Sequence, residues 1–289
     1  MRNKVGDIMS NNYKTKPVDE LTFTDDGMFQ AVMHDPEICA EVVERLLHFK
    51  VNRIDYPELE KTIAPYYSSK GIRLDVYIKN SDKVIDVEIQ NYKMEALGKR
   101  TRYYQSMVDI DSLMKGQDYS ELKESYILFI CKDDPFKDTN EKYYGLPCYT
   151  FQNTCKENSA VNLDDKTLKV IYNASAYEQE KDEKIRNFLH YVYTNKTGED
   201  DFANHLEETV KKLIENDKFR KDYLAMNLHD RDITRMAKQE GILEGSQQKA
   251  IETAIALLKE GDSPEKIVRC TELPLEKVLE LQEQITEKA

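Results

Sequence analysis

The sequence predicts an α/β core followed by an α-helical C-terminal extension, and three observations predict it. Residues 72–90 change to a period of two: Ile72-Arg-Leu-Asp-Val-Tyr-Ile-Lys79 and Val84-Ile-Asp-Val-Glu-Ile-Gln90 alternate on either side of Asn80-Ser-Asp-Lys83, the pattern of a β-hairpin. Tyr126-Ile-Leu-Phe-Ile-Cys131 is a short, nearly continuous apolar run, as expected of a strand buried on both faces. After about residue 178 the apolar spacing is helical almost throughout, with Ile185, Phe188, Leu189 and Val192 on one stripe and Phe202, Leu206, Val210 and Leu213 on the next.

The elements follow in order. Residues 1–20 are polar and are expected to fray. A first helix starts near Thr24, with Asp25 or Asp26 as cap and Met28, Phe29, Val32 and Met33 at helical spacing. Pro36 opens a second, with Ile38, Val42, Val43, Leu46 and Leu47 on one face. The hairpin comes next, then a helix over 92–115 ending at Gly116, a natural C-cap residue. Tyr149–Phe151 and Leu168–Tyr172 are weaker strand candidates. A long helical stretch from Phe219 to about Glu260 is expected to be interrupted at Gly241 and Gly245. Ser263-Pro264 and Leu273-Pro274 then punctuate two short helices carrying Ile267, Val268, Val278 and Leu281. The resulting divisions are a polar segment (1–20), an α/β core (21–178), a helical extension (179–240) and a helical tail with a small helix-turn-helix-like unit (241–289).

Composition bounds the function. At roughly 150 residues per domain, 289 residues suggest about two domains. With 42 Lys+Arg against 54 Asp+Glu, the net charge of −12 excludes a wholly basic protein that coats nucleic acid. Nucleic acid could be bound only through a local basic patch or a metal-filled acidic site. No run approaches the roughly 18 apolar residues of a membrane span, and polar Met1–Asn12 does not read as a signal peptide. Five cysteines without C-x-x-C spacing read as reduced thiols of a cytoplasmic protein. Eighteen tyrosines and no tryptophan suit a polar groove, since tyrosine hydroxyls need partners. The five histidines are scattered, and H-E-x-x-H, G-x-S-x-G and P-loop motifs are lacking.

The hairpin is the most informative segment. A turn at 80–83 closing on Lys79 and Val84 makes paired residues sum to 163, so Asp75 faces Glu88. Alternation then puts Leu74, Val76, Ile78, Ile85, Val87 and Ile89 on one face, and Arg73, Asp75, Tyr77, Lys79, Val84, Asp86, Glu88 and Gln90 on the other. Two like charges directly opposed cost up to roughly 1 kcal/mol. A divalent cation reverses the sign of that interaction, and oxygen-only ligands favour Mg²⁺ or Mn²⁺ over zinc. The other reading is a solvated face on which Arg73 and Lys79 relieve the repulsion. Downstream, Lys93, Lys99, Arg100 and Arg102 stand against Glu95 alone, a local +3, with Tyr103 and Tyr104 directly after. Such a helix could bind backbone phosphates or stack on bases, or it could be a solvated face with one of the tyrosines in the core.

Leu74-Asp75-Val76, Asp86-Val87-Glu88-Ile89-Gln90 and Arg100 with Arg102-Tyr103-Tyr104 resemble the PD-(D/E)XK nuclease superfamily, and within it the recombination-promoting nuclease and transposase family. Asp26-Gly-Met-Phe29 is similar to that family's N-terminal D-x-x-F, Gly116-Gln-Asp-Tyr119 to its G-x-x-Y, and the tail from Gly241 through Ile267 to its helical C-terminus. The likeness runs from about 24 to 284. It implies a restriction-endonuclease-like core, a mixed sheet flanked by helices, and Mg²⁺-dependent hydrolysis of DNA phosphodiesters in recombination or transposition.

Residue by residue, the resemblance makes Asp75 and Glu88 the catalytic acids and metal ligands, with the backbone carbonyl of Ile89 as a third ligand. Gln90 takes the place of the superfamily lysine and can orient water by hydrogen bonds, but it cannot supply charge. Asp26 is the candidate additional acid, ahead of Glu41 and Glu44. Lys93, Lys99, Arg100, Arg102, Tyr103 and Tyr104 are the candidate DNA-binding residues. The competing expectation is a DNA- or protein-binding module, weakly catalytic or inactive, on a nuclease scaffold. The tail from 262 has seven acids against four bases, poor for a DNA groove and better suited to a homodimer contact.

Overall fold

The computed structural model describes residues 16–51, 57–63, 72–80, 82–92 and 95–286; over 226–244 and at 286 it describes the backbone alone. The chain divides into two compact units, Met1–Arg220 and Lys221–Ala289.

In the first unit, helices α1 (Asp26–Met33) and α2 (Pro36–Leu47) come first. Asp35 caps α2 by accepting from the Glu37 and Ile38 N–H groups, and Pro36 sits where a missing N–H costs nothing. Asp25 precedes α1, but its carboxylate accepts from Thr22 N–H and Lys16 in the preceding turn instead of capping the helix. Of the segment expected to fray, residues 1–15 lie outside the described residues, and Val18–Glu20 forms a 3₁₀ turn with Val18 buried.

A mixed sheet of six strands follows among the described residues: β1 (Glu58–Ile63), β2 (Ile72–Lys79), β3 (Lys83–Gln90), β4 (Glu124–Cys131), β5 (Cys148–Phe151) and β6 (Thr167–Asn173), in the order β1-β2-β3-β4-β6-β5. Strands β3, β4 and β6 run parallel, while β1, β2 and β5 are joined antiparallel. The hairpin register is the one its turn predicts, with Val76 on Val87, Tyr77 on Asp86, Ile78 on Ile85 and Lys79 on Val84. Strand β1 was not anticipated. Its Glu-Leu-Glu-Lys-Thr-Ile sequence buries only Ile63, the charged habit of an edge strand protected against further pairing.

A parallel pair needs a crossover, and α3 (Leu97–Ser112) supplies it between β3 and β4. This helix is shorter than the expected 92–115. Ala96 precedes it in a left-handed conformation (φ 57), Leu113 leaves it extended, and Gly116 uses its positive φ in the following turn. Tyr104, Met107 and Val108 of α3 pack with Ile127 and Phe129 of β4 and with Tyr77 and Val84 of the hairpin. The hairpin face expected to be polar is therefore roofed over, and Tyr77, Val84, Asp86 and Glu88 are all buried. The solvated-face reading is corrected, because the crossover helix that a parallel neighbour requires must lie on that side.

On the opposite face, Tyr172 of β6 donates its hydroxyl to Leu46 O of α2 at 2.8 Å. Helices α4 (Glu183–Thr194) and α5 (Asp201–Glu215) complete this layer. Phe23 makes ring contacts with Phe29, Phe188 and Tyr191 at 5.4–6.0 Å between centroids, and the Arg45 guanidinium lies 4.3 Å over Phe202.

Helix α6 (Asp217–Lys259) passes through Gly241 and Gly245 without a break. Each glycine costs about 1 kcal/mol in a helix, and strong helix formers such as Met236, Ala237, Lys238, Gln239 and Glu240 surround them. In the second unit, α7 (Pro264–Thr271) and α8 (Leu275–Thr286) pack with the end of α6 around Ala254, Ile267, Val278 and Leu281. Among the described residues, no helix is long and apolar enough to cross a membrane.

Candidate active site

The ladder between β2 and β3 stops at Val76–Val87, one step short of Asp75 and Glu88. There the two carboxylates take over the pairing. Asp75 N–H donates to Glu88 Oε1 at 2.9 Å, and Ile89 N–H donates to Asp75 Oδ2 at 3.3 Å. Each acid is thus fixed by the backbone of the other strand. Two helices add a hold on each. Gln30 of α1 donates Nε2–H to Asp75 Oδ1 at 3.3 Å. Arg100 of α3 donates to Glu88 Oε2 at 3.2 Å, and it is itself pinned by a 2.8 Å bond from Nε to Tyr104 Oη and by lying over the Tyr104 and Phe129 rings.

Asp75, Glu88, Arg100 and Tyr104 open onto one cleft of about 960 Å³, which Asp26, Ile89, Gln90, Lys99 and Tyr103 also line. It gathers Asp26, Asp75, Glu88, Ile89, Gln90, Lys99, Arg100, Tyr103 and Tyr104 from the sequence expectation. Arg102 is not among them; it lines a separate cavity with Ser106, Asp109 and Lys169. Lys93 lies outside the described residues. Glu41 of α2 is engaged by Arg45 at 2.6 Å, and Glu44 accepts from Val51 N–H, so both weaker acid candidates are tied up away from the cleft. Of the two adjacent tyrosines, Tyr104 is in the core, while Tyr103 is 37% exposed.

The electrostatics are those of acids gathered against their repulsion. Burial, then the charge of Asp26, pushes the Asp75 carboxyl up to about 6, although Ile89 N–H, Gln30 and Arg73 oppose this. Burial, then Asp75, pushes Glu88 up to about 8, against the Asp75 N–H and Arg100. Asp86, 0% exposed beneath them, is raised well above the usual carboxylate range by burial and then by Glu88 and Asp75. Among the described residues, neither Asp86 oxygen meets an N–H or hydroxyl donor, and only the Glu88 carboxyl stands beside it, a costly state for a buried polar group. Asp26 is exposed along its edge, yet the cleft walls displace water from it and raise its carboxyl, with Arg73 opposing.

Among the described residues, no three His, Cys, Asp or Glu side chains are gathered into a closed metal cage. The Asp75 and Glu88 carboxylates, with the Ile89 carbonyl that the resemblance adds, would make a smaller, oxygen-only set lining the cleft. Magnesium suits such a set, because it keeps several waters and takes the rest of its shell from substrate phosphate. Mutually repelling carboxylates whose pKa values burial and one another raise, with a third buried acid beside them, are what a hard dication would relieve, so the donor set fits Mg²⁺ or Mn²⁺.

Three contributors were not among the candidate site residues read from the sequence. Gln30 holds Asp75 and lies one helical turn after Asp26, so the i, i+4 spacing was visible but had nothing to point at. Arg73 lines the cleft from β2, and its signal was its place two residues before Asp75 on the same face. Asp86 was placed on the correct face, but its burial depended on α3.

A mixed sheet whose central hairpin offers two facing acids to a cleft, under a crossover helix bearing an arginine, defines a nuclease-type α/β protein. The model of the PD-(D/E)XK nuclease family transposases matches residues 32–240, and the chain belongs to that family. The matched span contains Asp75, Glu88, Gln90 and Arg100; Asp26 precedes it, and the tail from 241 follows it. No curated protein and no solved structure matches the chain significantly.

Proposed function

We propose that the protein is a Mg²⁺- or Mn²⁺-dependent DNA endonuclease acting in recombination or transposition. The observation that carries this reading is the meeting of Asp75 and Glu88, each held by the other's strand, in one cleft with Gln90 and Arg100. Asp75, Glu88 and the Ile89 carbonyl would hold the metal. When bound, the dication lowers the pKa of water and withdraws charge from the phosphate oxygens. Gln30 and the Ile89 N–H orient Asp75, as the Asp75 N–H and Arg100 orient Glu88. Gln90 donates its amide N–H to Tyr92 O at 2.9 Å, which leaves its carbonyl oxygen to accept from the attacking water. The fixed charge that an amide at 90 lacks comes from Arg100, which remains 37% exposed at its side chain and so within reach of phosphate. Lys99 and Tyr103 stand at the mouth to grip the strand.

Plasmid nicking with Mg²⁺, abolished by EDTA and by Asp75→Ala, is the expected result. Undiminished cleavage by Asp75→Ala would sink this reading. The arginine seated on Glu88 favours a second reading, a DNA- or protein-binding module with weak or no catalysis. In that case DNA binding survives EDTA, and neither Mg²⁺ nor Mn²⁺ yields cleavage.

We also propose the tail as a homodimer contact. Leu275 and Leu279 of α8 lie one turn apart and are 45% and 42% exposed. Leu275→Glu with Leu279→Glu should shift a dimer to monomer in sedimentation; an unchanged mass would refute the contact. Five cysteines without a disulfide, two of them buried, fit a cytoplasmic setting.

A further inference from the structure

Gln90, Cys131 and Asn173 form one row across the C-terminal ends of the parallel strands β3, β4 and β6. This edge is where open α/β sheets place their ligands. The acidic cleft occupies one end of the row. Past Gln90 a second pocket of about 410 Å³ opens, and Gln90 and Tyr92 line both.

The two halves differ in chemistry. The cleft holds Arg73, Lys99 and Arg100 beside its carboxylates. Among the described residues, the second pocket has no cation in its lining; tyrosines stand around it, over a floor that includes Leu97, Cys131 and Ala176. Tyr92, Tyr143 and Tyr193 are 80%, 47% and 38% exposed, an unusual concentration of aromatic surface beside a phosphodiesterase-type cleft. Polar side chains at the rim, Gln179, Ser175 and Asp133, can meet the edge of a heterocycle with both donors and acceptors. A space of this size suits a small aromatic ligand and is far too small for a duplex. A ligand with charge at one end and a flat polar ring at the other would match the two halves together.

We propose that the pocket beyond Gln90 receives an unpaired nucleobase of the strand whose phosphate lies at the Asp75–Glu88 pair. The inference rests on the nuclease reading and narrows its substrate class to single-stranded or base-flipped DNA. In a closed duplex the bases are stacked inside and cannot enter, whereas an unstacked base can lie against the tyrosines. Stacking of one base on an aromatic side chain is worth roughly five- to a hundredfold in affinity.

The test is fluorescence anisotropy in EDTA, where no cleavage contributes. The full chain is titrated with a labelled 16-nucleotide oligothymidylate, with an abasic deoxyribose-phosphate oligomer of the same length, and with a blunt duplex. The oligothymidylate should bind at least tenfold tighter than the abasic oligomer and tighter than the duplex. Tyr143→Ala combined with Tyr193→Ala, at two positions that line the second pocket but not the acidic cleft, should remove most of that preference and leave abasic binding unchanged, with thermal melting confirming the fold. Equal affinity for thymidylate and abasic strands overturns the proposal. So does preference for the duplex, a preference that survives the double variant, or no binding of any strand. Base-dependent binding in a protein that never cuts would retain the pocket and reject the nuclease reading; cutting without base dependence would do the reverse.

Discussion

Two buried acids of the same sheet lie in opposite circumstances. Asp134, just past β4, is 7% exposed and accepts from Phe136 N–H at 2.9 Å, Gly145 N–H at 2.7 Å and the Tyr149 hydroxyl at 2.9 Å. Asp86, in the middle of β3, is 0% exposed and, among the described residues, is met by no N–H or hydroxyl donor, only by the Glu88 carboxyl. The first is an anchor, a carboxylate buried because three donors converge on it and hold a long loop to the sheet. The second is buried with Asp75 and Glu88 above it, so that repulsion is concentrated in one place. Burial alone therefore does not mark a site. Burial without compensation does, because a fold selected only for stability would have replaced such a group.

The largest effect that tests this contrast is catalytic. Asp75→Ala and Glu88→Ala should each reduce plasmid cleavage by roughly a hundred- to a thousandfold, with a smaller loss of melting temperature than Asp134→Ala, because relief of the crowding offsets the Ile89 and Asp75 N–H donors left without a carboxylate. Loss of folding would move these acids into the same class as Asp134. Asp134→Ala should do the opposite. Stranding two backbone donors and a tyrosine hydroxyl should cost about 3 kcal/mol, on the order of 10 °C in melting temperature, and the folded fraction should still cut.

The third effect is on pH dependence. Asp75 at about 6 and Glu88 at about 8 lie above the ordinary values of 3.8 and 4.5. The folded protein therefore binds more protons than the unfolded chain between about pH 4 and pH 8, and stability falls as pH rises through that window. In EDTA the loss from pH 5 to pH 8 should be roughly 2 kcal/mol by denaturant titration, well short of the full ~1.4 kcal/mol per pKa unit because the acids share charge. Mg²⁺ should restore more at pH 8 than at pH 5, and a flat profile would remove the case for crowded acids. The smallest effect is Asp86→Asn, whose effect on stability should become more favourable as pH rises, because burial and then the neighbouring acids raise the Asp86 carboxyl and make its ionised form the costly one. Greater destabilisation at pH 8 than at pH 5 would show that Asp86 has a compensating partner after all.

Much of this was legible in the residues. The hairpin register followed from a four-residue turn and strict alternation, so Asp75 and Glu88 were matched before any coordinates. The short tail helices were legible for a similar reason: Pro264 and Pro274 mark boundaries that local sterics enforce. Other features depended on distant partners. Strand β1 has too few apolar residues to announce itself and exists because β2 offers it an edge. Helix α6 continues through two glycines because propensity is a sum over many residues, and the neighbours outvote them. Arg102 and Arg100 sit two residues apart in one basic run, but a helix turns about 200° over that distance, so only Arg100 reaches the cleft.

By itself the chain determined its local periods, the proline-marked starts of its helices and the facing of two acids, because these depend on backbone sterics and on neighbours a few residues away. Only the tertiary structure decided that the acidic face would be roofed, that Gln30 and Arg100 would each take one acid, and that Asp86 would be buried with only the Glu88 carboxyl beside it among the described residues. Solvent exclusion sets how strongly charges interact, and it comes from segments far apart in the chain, here α1 and α3 closing on one strand pair.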